Sequence, residues 1–262
     1  TYREVVAATN PIASFQLDTP NAPSTNGAYT TTWQNVTTGP GAPIASVPGN
    51  TGASFDGTGG ISVITTSLTG TTPGRGSIVA WINAAMLPSA AGRIFYIAGE
   101  SQFANDFDFQ FDQQDMLSFC VGAGECLGRA VASGFTSSWH MVTASYDATR
   151  GAGLDTQSIY LDGVLFTGRT GNFSAAAHTS PFTIGYSSVF GGREFGGLID
   201  EVSVYDRELT SAEVANLYAA RNVTAEPSGA VPEPATWAMT IVGFGAIGSS
   251  LRRRSRTALA AA

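Results

Sequence analysis

Apolar residues recur along the chain in short stretches separated by Gly, Asp, Asn and Ser: IASFQLD, ASFDGTGGISV, SIVAWINA, RIFYIAG, DFDFQFD, MLSFCVG, WHMVTASYD, SIYLDGVLF, PFTIGYS and LIDEVSVYD. Several alternate with a period of two, the spacing that turns one face of a strand toward a core. Val142, Ala144 and Tyr146 share such a face, with His140 at its edge as a core-edge histidine. Phe107, Phe109 and Phe111 share another, and Asp108, Gln110 and Asp112 fall on the opposite, solvated side. About ten or more strands punctuated in this way predict an all-β fold, a two-sheet antiparallel sandwich. Asp162-Gly163 is a hairpin signal, because a type I′ turn needs positive φ at both central positions.

One segment has helical periodicity. Thr210 and Glu213 form a capping box, Leu209 and Val214 a hydrophobic staple, and Val214, Leu217 and Tyr218 one apolar stripe. This predicts a short helix closing the domain near residue 221. The pattern leaves residues 1–9 as an N-terminal remnant, 10–221 as the sandwich, and 222–231 as a polar linker containing Pro and Gly. From Ala235 to Leu251 the chain then runs without a charge, and as a helix this stretch spans about 25 Å, a little less than a hydrocarbon core. Four arginines (Arg252, Arg253, Arg254, Arg256) follow, then a short tail, 257–262. A buried core helix fits poorly behind such a linker. An inserted segment with its arginines on the cytoplasmic side fits better and leaves the domain outside.

Composition narrows the chemistry. The chain has 262 residues, is 43% hydrophobic and only 13% charged, and its 31 glycines suit a turn-rich β protein. All thirteen basic residues are Arg, so phosphate loops, Schiff bases and kinase-type chemistry that need Lys are excluded. With four of those arginines in the tail, residues 1–231 are strongly acidic, which argues against nucleic acid as a partner. The first residue is Thr and TYREVVAATN has no signal-peptide hydrophobic region, so the N-terminus is read as trimmed of any export signal. Cys120 and Cys126 frame CVGAGEC, which looks like a hairpin tip; a disulfide there suits an oxidising compartment, with two buried thiols as the alternative. Two cysteines and the distant His140 and His178 give no zinc spacing.

The blocks SFDGTGG (54–60), SIVAWINA (77–84), WHMVTASYD (139–147), SIYLDGVL (158–165), FTIG (182–185) and FGGLIDEVSVYDRELTSAEVANLY (195–218) resemble the laminin-G-like domain of the concanavalin A-like jelly-roll superfamily. The resemblance implies a jelly roll that binds sugars, proteins or other surface ligands, with a minority of members hydrolysing glycosides. Such hydrolases carry a Glu-containing acidic run on one strand. The nearest segment here, NDFDFQFDQQD, offers Asp106, Asp108 and Asp112 but no Glu, so these acids are ligand-facing candidates rather than catalytic ones. The resemblance also implies a structural Ca²⁺ in some members; Asp200 matches the last-strand aspartate of such sites, with Asp18 and Asp56 as weaker candidates, and the alternative is that Asp200 hydrogen-bonds the backbone. Trp33, Tyr186 and Phe190 are candidates for an aromatic sugar platform.

Pro232-Glu233-Pro234 and Trp237, then the apolar segment and Arg252, Arg253 and Arg254, resemble the PEP-CTERM sorting signal of Gram-negative bacteria. This resemblance implies transient insertion in the inner membrane, recognition and cleavage by an exosortase, and delivery to the outer envelope or extracellular matrix. The expectation from the sequence is an exported, non-enzymatic domain that binds carbohydrate, with a glycoside hydrolase or a protein-binding adhesion module as alternatives.

Overall fold

A computed structural model describes residues 1–58, 60–70, 74–100, 106–174 and 180–224. Its strands are β1 (Ala13–Phe15), β2 (Thr31–Gln34), β3 (Thr37–Pro40), β4 (Thr51–Asp56), β5 (Val63–Thr69), β6 (Arg75–Ala84), β7 (Phe95–Glu100) and β8 (Asp106–Phe111). The chain continues through β9 (Met116–Gly122), β10 (Glu125–Ala130), β11 (His140–Asp147), β12 (Asp155–Leu161), β13 (Val164–Gly171), β14 (Pro181–Ile184) and β15 (Gly196–Tyr205). Helices α1 (Tyr2–Ala8), α2 (Pro88–Ala91) and α3 (Ser211–Ala220) complete the described unit.

All the pairings are antiparallel and build two sheets. One has eight strands in the order β13-β12-β11-β6-β15-β4-β3, with β1 also on β15; the other has seven in the order β10-β9-β8-β7-β14-β5-β2. The expected sandwich is therefore the observed one. The inner core takes the alternate residues of both sheets, among them Phe107, Phe109 and Phe111, as their period-two spacing requires. Phe119 meets Phe107, Phe109 and Tyr146 edge-on, with ring centroids 5.7, 6.2 and 5.8 Å apart, the arrangement aromatic quadrupoles favour.

A second core covers the outer face of the eight-stranded sheet. On β6, Ile78, Ala80 and Ile82 point inward while Val79 and Trp81 point outward into a cluster with Tyr2, Val6, Ile44, Leu209, Val214 and Leu217. Burial on both faces explains why SIVAWINA reads as a continuous apolar run rather than an alternating one. Helix α3 starts at the expected capping box, with the Thr210 side chain accepting the Glu213 N–H. Residues 2–8, which the pattern places outside the domain, correct that reading: they form α1, whose Tyr2 and Val6 are buried in the outer core. Both described cores lie within the compact unit Thr1–Thr224, which gives this unit the apolar interior a domain needs to fold alone.

Left-handed backbone shapes the β12–β13 turn and the middle of β15. Asp162 and Gly163 have φ of 51° and 81°, the left-handed pair that a type I′ turn demands. In β15, pairing with β4 ends at Ile199 and pairing with β1 begins at Val202; between them lies a bulge, with Glu201 at φ 49°.

Candidate functional site

The outer face of the seven-stranded sheet carries polar side chains where the eight-stranded sheet carries apolar ones. Alternation on β8 turns Asp108 and Gln110 away from the phenylalanines, opposite Cys120 and Ser118 of β9. Asp108 is only 1% exposed and Gln110 only 6%, which corrects the expectation that this side of β8 is solvated. The Tyr96 hydroxyl donates to Asp108 Oδ1 at 2.9 Å. Gly99 makes this contact feasible: a Cβ there would stand 2.9 Å from the Tyr96 hydroxyl oxygen and 2.1 Å from the Phe107 carbonyl. Asp112 Oδ1 accepts the N–H groups of Gln114 (2.9 Å) and Met116 (3.0 Å), so it holds the β8–β9 turn. Asp106 opens β8, but its side chain lies outside the described residues.

The 186–194 loop borders this face. Its root is fixed by Thr183 Oγ1 donating to the Tyr186 carbonyl at 2.8 Å and by a bridge between Tyr186 and Glu194. Arg193 Nη1 donates to Gln110 Oε1 at 3.2 Å, while its guanidinium carbon lies 4.0 Å from the centre of the Phe190 ring. Cys120 and Cys126 pair directly across β9 and β10 and form a disulfide, with Gln110 Nε2 3.8 Å from Cys120 Sγ. The result is a set of fixed hydrogen-bonding groups (Gln110, Ser118, Arg193) beside an aromatic ring. Arg193, Tyr96 and Ser118 escape the sequence reading, because a single Arg in FGGRE and a Tyr in a core-like strand carry no local signal. Trp33 is half-buried against the inner core on β2, on the other side of β14 from β8 in the pairing order. His140 stacks on Phe135 at 4.2 Å and holds Asp162 Oδ2 through Nδ1 at 2.8 Å, which ties the β12–β13 turn to β11.

The proposed calcium ligands lie elsewhere, at the β15 bulge. Asp200 is fully buried: Oδ2 accepts the Ala42 N–H (2.8 Å) and the Asn50 side-chain amide (2.7 Å), and Oδ1 accepts the Glu201 N–H (2.8 Å). Arg3 of α1 spans Glu201 and Asp18 beside it. These residues do not fit a bound Ca²⁺, which takes six or more oxygens: Asp200 is already filled by N–H donors and a guanidinium stands among the other acids. Among the described residues no three His, Cys, Asp or Glu side chains are arranged to hold a metal. Asp56 is held by Thr58 and Ser62 in a turn, where the Thr58 N–H lowers its pKa.

Three carboxyls around one guanidinium leave an excess of acid. Burial pushes Asp200 up to about 7 and Glu201 to about 8, the latter also through its negative neighbour Asp200, with Arg3 pulling Glu201 back. In the unfolded chain both acids release their protons near pH 4. Their folded forms keep them to higher pH, so this pair stabilises the fold fully below about pH 4 and loses that contribution as pH rises through 7 and 8. Glu213 acts oppositely: the Arg207 hydrogen bond lowers it to about 2, so its contribution is lost as pH falls toward that value. Thermal unfolding is expected to show a higher Tm at pH 5 than at pH 9, and Glu201→Gln is expected to flatten that slope.

Residues 55–215, more than half of the chain, match the laminin-G-type family model of the concanavalin A-like lectin/glucanase superfamily. The chain belongs to this family. Residues 230–254 match the PEP-CTERM protein-sorting motif, which implies an exported cell-surface protein processed by exosortase. Pro232, Glu233, Pro234, Trp237, Arg252, Arg253 and Arg254 lie within that match and outside the described residues. No curated protein matches this sequence.

Solved structures share the lectin/glucanase fold. Domain 4 of AbnA, a GH43 extracellular arabinanase from Geobacillus stearothermophilus, superposes with a TM-score of 0.57 at 18% identity over 79% of this chain and 98% of that one. The type G botulinum neurotoxin receptor binding domain gives 0.59 at 15% identity over 80% of this chain, which spans 51% of it. A Trypanosoma rangeli sialidase mutant gives 0.56 at 16% identity over 81% of this chain and 33% of its own. At such identities the likeness shows the fold alone.

Proposed function

We propose that this domain is a non-catalytic carbohydrate-binding module, displayed on the outer envelope or in the extracellular matrix after removal of its C-terminal signal. The observation that carries this reading is the outer face of the seven-stranded sheet, where the Arg193 guanidinium lies over the Phe190 ring next to Gln110. A sugar offers an apolar face ringed by hydroxyls, and an aromatic surface beside fixed amide, hydroxyl and guanidinium groups complements it. Two of the similar structures hold sugars: the AbnA domain is in complex with arabinotriose, and the type D botulinum neurotoxin ligand binding domain with N-acetylneuraminic acid. Both support carbohydrate as the ligand class by analogy of fold.

The state of Asp108 and Asp112 supports binding without cleavage. A glycosidase needs two carboxyl groups flanking an open cleft. Asp108 is buried against the Tyr96 hydroxyl and Asp112 Oδ1 caps a turn, which argues against either serving as an acid or a nucleophile. The site is tested by Arg193→Ala and Phe190→Ala in residues 1–224. Each change is expected to weaken glycan binding about 10- to 100-fold, the equivalent of a charge-assisted hydrogen bond or an aromatic contact. Unchanged affinity in both variants, with the fold intact, would place any ligand elsewhere.

A further inference from the structure

We infer that Arg3 is the domain's own cation for the carboxylate pocket at the β15 bulge, standing in for a divalent ion. Arg3 Nη2 lies 2.6 Å from Glu201 Oε1, 2.8 Å from Asp18 Oδ2 and 3.4 Å from Asn50 Oδ1, and Nε adds a 2.7 Å hydrogen bond to Glu201. One nitrogen is thus surrounded by oxygens from three separate segments of the chain, the geometry a bound cation would have. The bulge builds the pocket: with Glu201 in the left-handed region, two consecutive acids are buried at the point where β15 changes partner from β4 to β1. A gap between two partner strands lined with carboxyls needs positive charge to hold it together.

A guanidinium suits that place because it stays charged and its planar fork engages two carboxylates at once. Helix α1 delivers it, anchored on either side of Arg3 by Tyr2 and Val6 in the outer core. Tyr2 is itself fixed by accepting the Trp81 indole N–H at 3.1 Å. The charge is therefore tied covalently to the fold. The integrity of this junction depends on α1 and is independent of divalent ions in the surrounding medium.

The test is thermal unfolding of residues 1–224 at pH 9, above the range in which Asp200 and Glu201 keep their protons, in millimolar calcium and in EDTA, for the natural sequence, Arg3→Gln and Arg3→Lys. The natural sequence is expected to unfold at the same Tm in both. Arg3→Gln leaves buried carboxylates without their partner and is expected to lose about 10 °C in EDTA. Calcium is expected to restore part of that loss, because Asp18, Glu201 and Asn50 are then free to close on an ion. Arg3→Lys keeps the charge and is expected to show no calcium response. If Arg3→Gln yields no folded protein in EDTA, refolding it with calcium present decides the same point. A natural sequence stabilised by calcium, a calcium-responsive Arg3→Lys, or an Arg3→Gln that is insensitive to calcium would each overturn the inference.

Discussion

Trp81→Ala is expected to cost about 3 to 5 kcal/mol, enough to remove much of the stability of a domain this size. Trp81 is 1% exposed at the centre of the outer core. Its ring stacks on Tyr218 of α3 with centroids 5.9 Å apart and meets Tyr2 of α1 edge-on at 6.3 Å, so one side chain joins the sheet to both covering helices. Removing it opens a cavity and takes away the donor to the buried Tyr2 hydroxyl. Urea unfolding checks this directly. A loss below about 1 kcal/mol would mean that α1 and α3 are dispensable covers, contrary to their place in the outer core.

The second large effect is on location. Replacing Pro232, Glu233 and Pro234 together by alanine is expected to leave nearly all of the protein as a membrane-bound precursor, whereas the natural sequence is cut and released. The expectation rests on the uncharged stretch Ala235–Leu251 followed by Arg252–Arg254, which as a temporary span would hold the chain in the bilayer with its arginines in the cytoplasm until the motif is cut. Membrane fractionation with immunoblotting in a strain that expresses exosortase reads the outcome. Release of the triple variant at the natural rate would contradict the role of the motif.

The parts of the fold that the sequence made legible share a property: their neighbours fix one face. Phe107, Phe109 and Phe111, and likewise Val142, Ala144 and Tyr146, alternate because the inner core accepts every second residue. The Asp162-Gly163 turn and the Thr210–Glu213 cap are local chemistry and are found where expected. Strands β2 and β3 lie at sheet edges, are rich in Thr and mostly exposed, and so offer no alternation to read. Helix α1 is too short to be stable by itself and exists through Tyr2, Val6 and Arg3, contacts made across the whole domain. The Arg3–Glu201 bond joins residues 198 positions apart, beyond any window of periodicity. The candidate site was half legible: the face bearing Asp108 and Gln110 was visible from β8, but its burial and the arrival of Arg193 depend on a loop that local pattern does not place.

Carbohydrate binding without catalysis is tested most directly by a glycan-array screen of residues 1–224, run in calcium and in EDTA, with a reducing-sugar assay on every glycan that binds. Saturable binding of at least one polysaccharide fragment is predicted, equal in the two media, with no reducing sugar released. Absence of binding to any glycan would contradict the carbohydrate-binding assignment, and release of reducing sugar would contradict the absence of catalysis.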